Sequence, residues 1–425
     1  MNNQRLELVA DFYEYTMANG YFNKNMQDRI AYFDVFFRKV PDEGGYAIVA
    51  GLEQIINYIR NLSFDEEDIN YLRKQNKFSE EFLNYLENFR FTGDIWAIPE
   101  GTVVFPNEPL ITVKAPIIQA QLLETMLLLT TNHQSLIATK TSRIVKEAQG
   151  RPVMEFGARR AHGINAAVEG ARAAIIGGAV GTSCTLSAKE FNVPASGTMA
   201  HSWIQSFDSE YEAFKAYAEL YPDDCTFLID TYNTIESGLP NAIKVFNEVL
   251  KPKGYRPKAV RLDSGDLAYL SKKVRKILDE AGYEDCKICA TNSLDEYLIK
   301  SLIEQDAKID LFGVGENLIT AKSEPVFGGV YKLVALEKDK KIVPKIKVSE
   351  NTAKVTNPSV KKVYRFYDNE TKKAIADVIT LADEIIDERE YMIFDPQNPW
   401  KKKVLKDYSI RLLQEKIFEE RKINI

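Results

Sequence analysis

The chain has 425 residues, 45% of them hydrophobic and 27% charged, with a formal net charge of −6; that length calls for two or three domains with ample core. The acidic balance, with no Lys/Arg-rich stripe interleaved with aromatics, argues against a nucleic-acid footprint, and no run reaches the roughly 18 apolar residues of a membrane span. No signal-peptide core follows Met1, and four cysteines in this length make no disulfide framework, so a cytoplasmic metabolic protein is the expectation.

Along the chain, residues 1–135 mix helix and strand. Tyr32–Phe37 reads as a strand, and Asp65–Phe89 has helical periodicity. Gly101–Phe105 and Leu110–Val113 flank the turn Pro106-Asn107-Glu108-Pro109, which predicts a hairpin. Helices follow from Gln119 to about Leu129 and through Ser135–Ala148. Residues 136–325 then carry a pattern repeated seven times: an apolar run that stops at Gly, Asp, Ser, Thr, Arg or His. The ends are Glu155–Arg160, Gly181–Ser183, Gly197–Ser202, Asp230–Asn233, Arg261–Asp266, Ala290–Ser293 and Gly313–Asn317. Buried parallel strands read as near-continuous apolar runs, and chemistry in α/β barrels gathers at strand C-terminal ends. Residues 326–425 alternate as strands at Val330–Ala335, Ile342–Val348, Val363–Tyr367 and Ala374–Leu381, and a helical tail is predicted at Leu405–Phe418.

The seven ends supply groups suited to a phosphorylated sugar. Arg261 and Asp263 alternate on one side of a strand near its mouth, where they can bind an anion and a ribose diol together. An N-cap with a turn glycine would account for Ser264–Asp266 but not for that pair. Gly313 and Gly315 let backbone N–H groups approach a phosphate. Phe156 offers a stacking face beside Arg159 and Arg160, whose guanidiniums suit phosphate or carboxylate. His201, one of only three histidines, opens a helix whose apolar face is Ile204, Phe207, Tyr211, Phe214 and Ala218. A helix N-terminus favours a neutral, nucleophilic ring. Ser293 and Glu296 have capping-box spacing, which leaves Asn292 to face the mouth. Cys286 and Cys289 fit a strand better than a redox motif. Nothing intrinsic marks Tyr13.

Taken in order, Asp11–Ala18, Pro99–Pro106, Gln121–Thr125, Phe156–Arg160, Gly197–Trp203, Arg261–Asp266, Gly313–Thr320 and Ser349–Pro358 resemble the nicotinate phosphoribosyltransferase family. The resemblance spans essentially the whole chain. It implies a transferase, formally a ligase when ATP-coupled, acting in pyridine nucleotide and NAD biosynthesis. Nicotinate and phosphoribosyl pyrophosphate would give nicotinate mononucleotide and pyrophosphate, with Mg²⁺ and ATP hydrolysis. His201 resembles the family's transiently phosphorylated histidine. Phe156 resembles one face of the pyridine sandwich, and Tyr13 the other, supplied by the second subunit of a homodimer with shared sites. Arg261 would face substrate carboxylate or phosphate, Asp263 the ribose hydroxyls, and Gly313 and Gly315 the 5′-phosphate. Arg38 and Arg159 resemble pyrophosphate or phosphate contacts, with Asp230 and Asn292 as polar support. Ser183 stands where the related nicotinamide enzyme has Asp; a hydroxyl can donate to a carboxylate that an Asp would repel. A nicotinamide-specific enzyme is the alternative. Glu316 departs from the pattern, because a smaller or uncharged residue sits more easily beside a phosphate.

The expected fold is an irregular, TIM-like α/β barrel of about seven strands over 136–325. An α+β domain built from 1–135 and 326–425, its second part β-rich with a helical tail, would flank it.

Overall fold

Ile30–Phe37 is apolar at almost every position because its side chains are buried on both faces of the sheet, and it is a central strand with antiparallel partners Gly329–Lys338 and Ile111–Pro116. The computed structural model describes residues 6–348, 350, 355–387, 389–396 and 398–419. Of the Ser349–Pro358 stretch, residues 349 and 351–354 lie outside the described residues, as do residues 1–5. The chain forms two compact units, Met1–Ser135 with Val326–Ile425, and Leu136–Pro325.

In the first unit the six-stranded sheet runs Lys341–Pro344, Gly329–Lys338, Ile30–Phe37, Ile111–Pro116, Asp94–Ala97 and Glu415–Phe418, so both chain ends build one sheet. Phe33 and Tyr331 stack across it at 4.7 Å. One buried ion pair and one arginine hydrogen bond tie the later segment to the earlier one. Lys361 Nζ lies 2.9 Å from Asp34 Oδ2, and Arg365 grips Asp377 with two nitrogens while its Nη2 donates to the Val103 carbonyl at 2.6 Å.

Three expectations are corrected here. Val103–Val104 pairs with Ala47–Ile48 rather than with Ile111–Pro116, so there is no hairpin; the latter strand is central and already has two partners. The C-terminal tail is not helical but forms the strands Tyr408–Leu412 and Glu415–Phe418. Asp407, at φ 52°, breaks the chain, and Tyr408 packs on Phe366 at 4.7 Å. Finally, the two predicted helices near residue 130 become a short turn of helix, Ile117–Gln121, and one continuous helix, Glu124–Glu147.

Helix Phe12–Asn23 carries a fully buried carboxyl. Glu14 is 0% exposed; Oε1 accepts from Asp11 N–H at 3.2 Å and from the Thr125 hydroxyl, and Oε2 has no partner among the described residues. Desolvation pushes this carboxyl up to about 7, against the lowering effect of its hydrogen bonds, and nearby Glu124 adds to the rise. The folded protein therefore holds a proton that the unfolded chain releases near pH 4.3. Stability falls as pH rises through that window, by on the order of 3 kcal/mol once pH exceeds 7. Glu14→Gln is expected to be more stable than the parent at pH 8 and to match it near pH 4. Urea midpoints at the two pH values check this, and parallel pH profiles would refute it.

The second unit has five parallel strands in the order Val153–Glu155, Leu311–Val314, Lys287–Ala290, Ala259–Leu262, Thr226–Leu228. Single parallel bridges extend the series, Glu155 to Thr182 and Thr182 to Ala195. Among the described residues the ladder is open between Ala195 and Thr226, so the mixed α/β class is observed without a closed barrel. Phe214, Phe227 and Phe246 stack in the core beside the last strand, at 4.5 and 5.4 Å. Cys289 lies in its strand as expected, and burial pushes its thiol up to about 12.

Candidate active site

Because the strands are parallel, all their carboxyl ends open on one edge, and the polar ends meet there. Asp266, not Asp263, caps the helix Leu267–Glu280, accepting from Tyr269 N–H at 3.0 Å. That leaves Asp263 for other work. Its Oδ1 takes a hydrogen bond from the Thr291 hydroxyl, and its Oδ2 lies 3.5 Å from His201 Nε2. The other ring nitrogen, Nδ1, lies 3.1 Å from Thr231 Oγ1. A carboxylate can only accept, so it favours the tautomer with hydrogen on Nε2 and the lone pair on Nδ1.

Asp230 holds the next turn. Its Oδ2 accepts from Asp263 N–H at 2.8 Å and from Ser264 Oγ at 2.6 Å, while its buried Oδ1 has no partner among the described residues. An unpaired buried carboxylate oxygen is unfavourable unless a ligand or cation meets it. Arg261 bridges the open side of the ladder: Nη1 donates to Thr198 Oγ1 at 2.7 Å and to the Met199 carbonyl at 3.2 Å, and its buried Nε has no partner among the described residues. This guanidinium therefore steadies the loop that leads into His201. That loop feeds a helix of only five residues, His201–Gln205. Ser209 starts a separate helix by accepting from Glu212 N–H at 3.2 Å, so the single long amphipathic helix expected from residue 201 is corrected.

The aromatic wall is built on glycine. A Cβ added to Gly313 would lie 2.6 Å from both Cδ2 and Cε2 of Phe156 and 2.8 Å from Thr291 Cγ2. Gly313 thus sits inside its strand with the Phe156 ring against it, and Thr291 joins this wall to Asp263 through its hydroxyl. Gly315 precedes the short helix Glu316–Ile319. Glu316 stands 3.8 Å from Arg160 Nε and 3.3 Å from Lys322 Nζ. These pairs separate the two arginines: Arg160 offsets Glu316, whereas exposed Arg159 has no ion pair among the described residues. Ser183 is exposed, its N–H held by the Glu155 carbonyl at 2.9 Å.

Asn292 and Ser293 take left-handed backbone, at φ 79° and 49°. Asn317 holds that turn, donating from Nδ2 to the Ser293 carbonyl at 2.8 Å and to that of Leu294 at 3.2 Å. The capping box expected at Ser293 and Glu296 is corrected. Asp295 caps the helix by accepting from Leu298 N–H at 2.8 Å, and Glu296 pairs in the interior with Lys140 at 2.8 Å.

Tyr13 and Arg38 belong to the other unit. Tyr13 is 44% exposed on helix Phe12–Asn23, with Phe12 and Met17 exposed beside it, and partial burial and Glu124 push its hydroxyl pKa up. Arg38 follows the Ile30–Phe37 strand, with its guanidinium 5.5 Å from the Phe36 ring centre and a buried Nε that has no partner among the described residues. Sequence reasoning missed Thr198, Thr231, Ser264 and Thr291. Each lies in or beside a strand end already singled out, and a hydroxyl next to a charged residue at such an end is the signal that could have found them.

Comparison with known proteins shows the family. Residues 152–379 match the nicotinate phosphoribosyltransferase (NAPRTase) family, residues 8–132 its N-terminal domain and residues 360–424 its C-terminal domain. The chain is 46% identical over 416 residues to nicotinate phosphoribosyltransferase of Bacillus subtilis, covering 98% of this chain and 84% of that one. It is 36% identical over 437 residues to the Caenorhabditis elegans protein of the same name, covering 89% and 76%. The crystal structure of human nicotinic acid phosphoribosyltransferase superposes with a TM-score of 0.85 at 26% identity, covering 97% of this chain and 89% of that one. The chain belongs to the nicotinate phosphoribosyltransferase family.

Proposed function

We propose that the Leu136–Pro325 unit is the catalytic domain of a nicotinate phosphoribosyltransferase, an irregular barrel whose last gap is closed by side chains. Those side chains are Arg261 with Thr198 and His201 with Thr231. The pyridine nitrogen attacks the ribose anomeric carbon as its bond to pyrophosphate breaks, and pyrophosphate leaves. An oxocarbenium-like state of this kind needs positioning and charge stabilisation more than covalent chemistry. Phe156 stacks on the base, Ser183 donates to its carboxylate, and Asp263 faces the ribose hydroxyls. Asn292 gives polar support beside them. Arg159, Arg38 and the Gly315 turn serve the phosphates, while Gly313 makes room for the Phe156 ring.

The observation that carries this reading is His201 held between Thr231 and Asp263. With its lone pair on Nδ1, the ring can attack the γ-phosphorus of ATP while ADP departs, and Asp263 stabilises the resulting cationic ring. Mg²⁺ fits as an ion carried by the phosphates. Among the described residues no group of three or more His, Cys, Asp or Glu could hold a metal ion. Asp230 Oδ1 and Asp263 are the hard oxygens that would meet it, and Mg²⁺ bound this way would neutralise charge on pyrophosphate. The exposed Val9, Phe12, Tyr13 and Met17 support a homodimer in which Tyr13 reaches the partner's base site. Among the described residues no helix is long and apolar enough to cross a membrane; four free cysteines support assigning the enzyme to the reducing cytoplasm.

Product formation from phosphoribosyl pyrophosphate and Mg²⁺, with nicotinate or nicotinamide and with or without ATP, tests the proposal. Nicotinate turnover that rises with ATP is expected. Preference for nicotinamide would overturn the role of Ser183, and no turnover with either base would overturn the function.

A further inference from the structure

Glu155 is 0% exposed, yet it ends the strand that leads into Phe156. Both of its oxygens are in use. Oε1 accepts from the N–H of Gly157, the residue after Phe156, and Oε2 accepts from Thr182 Oγ1 at 2.6 Å, the residue before Ser183. The Thr182 hydroxyl in turn accepts from Cys184 N–H at 2.9 Å, the residue after Ser183. Main-chain bonds run alongside: Glu155 N–H donates to the Gly181 carbonyl and Ser183 N–H to that of Glu155, each at 2.9 Å. Gly157 itself has no room for a side chain, because a Cβ there would lie 2.8 Å from Glu155 Oε1 and 2.5 Å from Ile319 Cβ.

We infer that Glu155 and Thr182 are positioning residues for base selection, locking Phe156 and Ser183 into one rigid element. Neither residue faces the base; each acts on a neighbour that does. Burying a carboxyl here is unfavourable, and desolvation holds Glu155 above the ordinary carboxylate range. An apolar residue would fill the space without that penalty but could not fix the chain on both sides at once. Without the clamp, the Ser183 hydroxyl and the Phe156 face would no longer hold one spacing. Since rate and discrimination depend on sub-ångström placement, recognition of the pyridine carboxylate would suffer first.

The inference rests on assigning Phe156 and Ser183 to the pyridine, and the test separates the two claims. Steady-state kinetics with nicotinate or nicotinamide, varying the base at saturating phosphoribosyl pyrophosphate and then phosphoribosyl pyrophosphate at saturating base, would compare the parent with Thr182→Val, Thr182→Ser and Phe156→Ala. Thr182→Val keeps the volume and removes the hydroxyl. It is expected to raise KM for nicotinate by about tenfold and shrink the preference over nicotinamide, with KM for phosphoribosyl pyrophosphate unchanged. Thr182→Ser keeps the hydroxyl and should restore the parent values. If Phe156→Ala raises KM for nicotinate but folded Thr182→Val does not, the clamp is wrong and the base site stands. If Phe156→Ala leaves that KM unchanged, the base-site assignment falls and the clamp falls with it. A uniform loss of kcat in Thr182→Val, with all KM values and the preference intact, would also overturn the positioning role.

Discussion

His201→Ala is expected to keep basal phosphoribosyl transfer and to lose its stimulation by ATP. Nothing in the proposed attack of the pyridine nitrogen on the anomeric carbon requires the imidazole. What the imidazole offers is a lone pair on Nδ1, set by the Asp263 carboxylate 3.5 Å from Nε2 and directed toward Thr231. A phosphoryl group there would bring negative charge and acceptor oxygens to Thr231, the residue after Asp230, whose buried Oδ1 has no partner among the described residues. Mg²⁺ and pyrophosphate would be held more tightly, biasing the reaction toward nucleotide. Alanine removes that bias alone, so the ratio of rates with and without ATP should fall from at least about tenfold to near one. Labelling with γ-phosphate-labelled ATP should give an acid-labile phosphoenzyme in the parent and none in the variant. Full ATP-driven turnover in His201→Ala would remove the phosphohistidine from the mechanism.

Much of this site was legible because its residues cluster at the ends of apolar runs, where a parallel sheet must present them. Arg261 and Asp263 could be read as a pair from alternation alone. The partners that hold them, and the one that holds His201, could not. Thr291, Thr198 and Thr231 come from segments 28 to 63 residues away, and only the strand order brings them together. Capping was misread for the same reason. Ser293 and Glu296 have the right spacing, but Asp295 takes the cap, and buried Lys140 makes an ion pair the better use of Glu296. Glu316, out of place by family pattern, is explained by Arg160 and Lys322. The C-terminal tail failed on a local signal. The apolar spacing of Leu405–Phe418 looked helical, but Asp407 at φ 52° and pairing with Lys361–Asp368 decide for strand.

Gly313→Ala is expected to damage base binding severely. The glycine is not needed for its dihedral angles, since it lies in an ordinary strand beside Met154. It is needed for the space above it. The new Cβ would sit 2.6 Å from two Phe156 ring carbons and 2.8 Å from the Thr291 methyl, and no real Cβ tolerates such contacts. Phe156 cannot retreat by backbone movement, because its N–H is held by the Val314 carbonyl at 2.8 Å and Gly157 is anchored by Glu155. The ring must therefore turn, losing its stacking face, at an overpacking penalty of about 1–3 kcal/mol in stability. KM for nicotinate should rise by at least about tenfold, with a smaller change for phosphoribosyl pyrophosphate. The double variant Gly313→Ala with Phe156→Leu separates the two consequences. It should recover part of the stability, because the two closest contacts are with the ring while the one with the Thr291 methyl remains, but should not recover nicotinate affinity, because stacking is gone. Additive losses in that cycle would mean that the ring and the glycine act independently, contrary to the geometry.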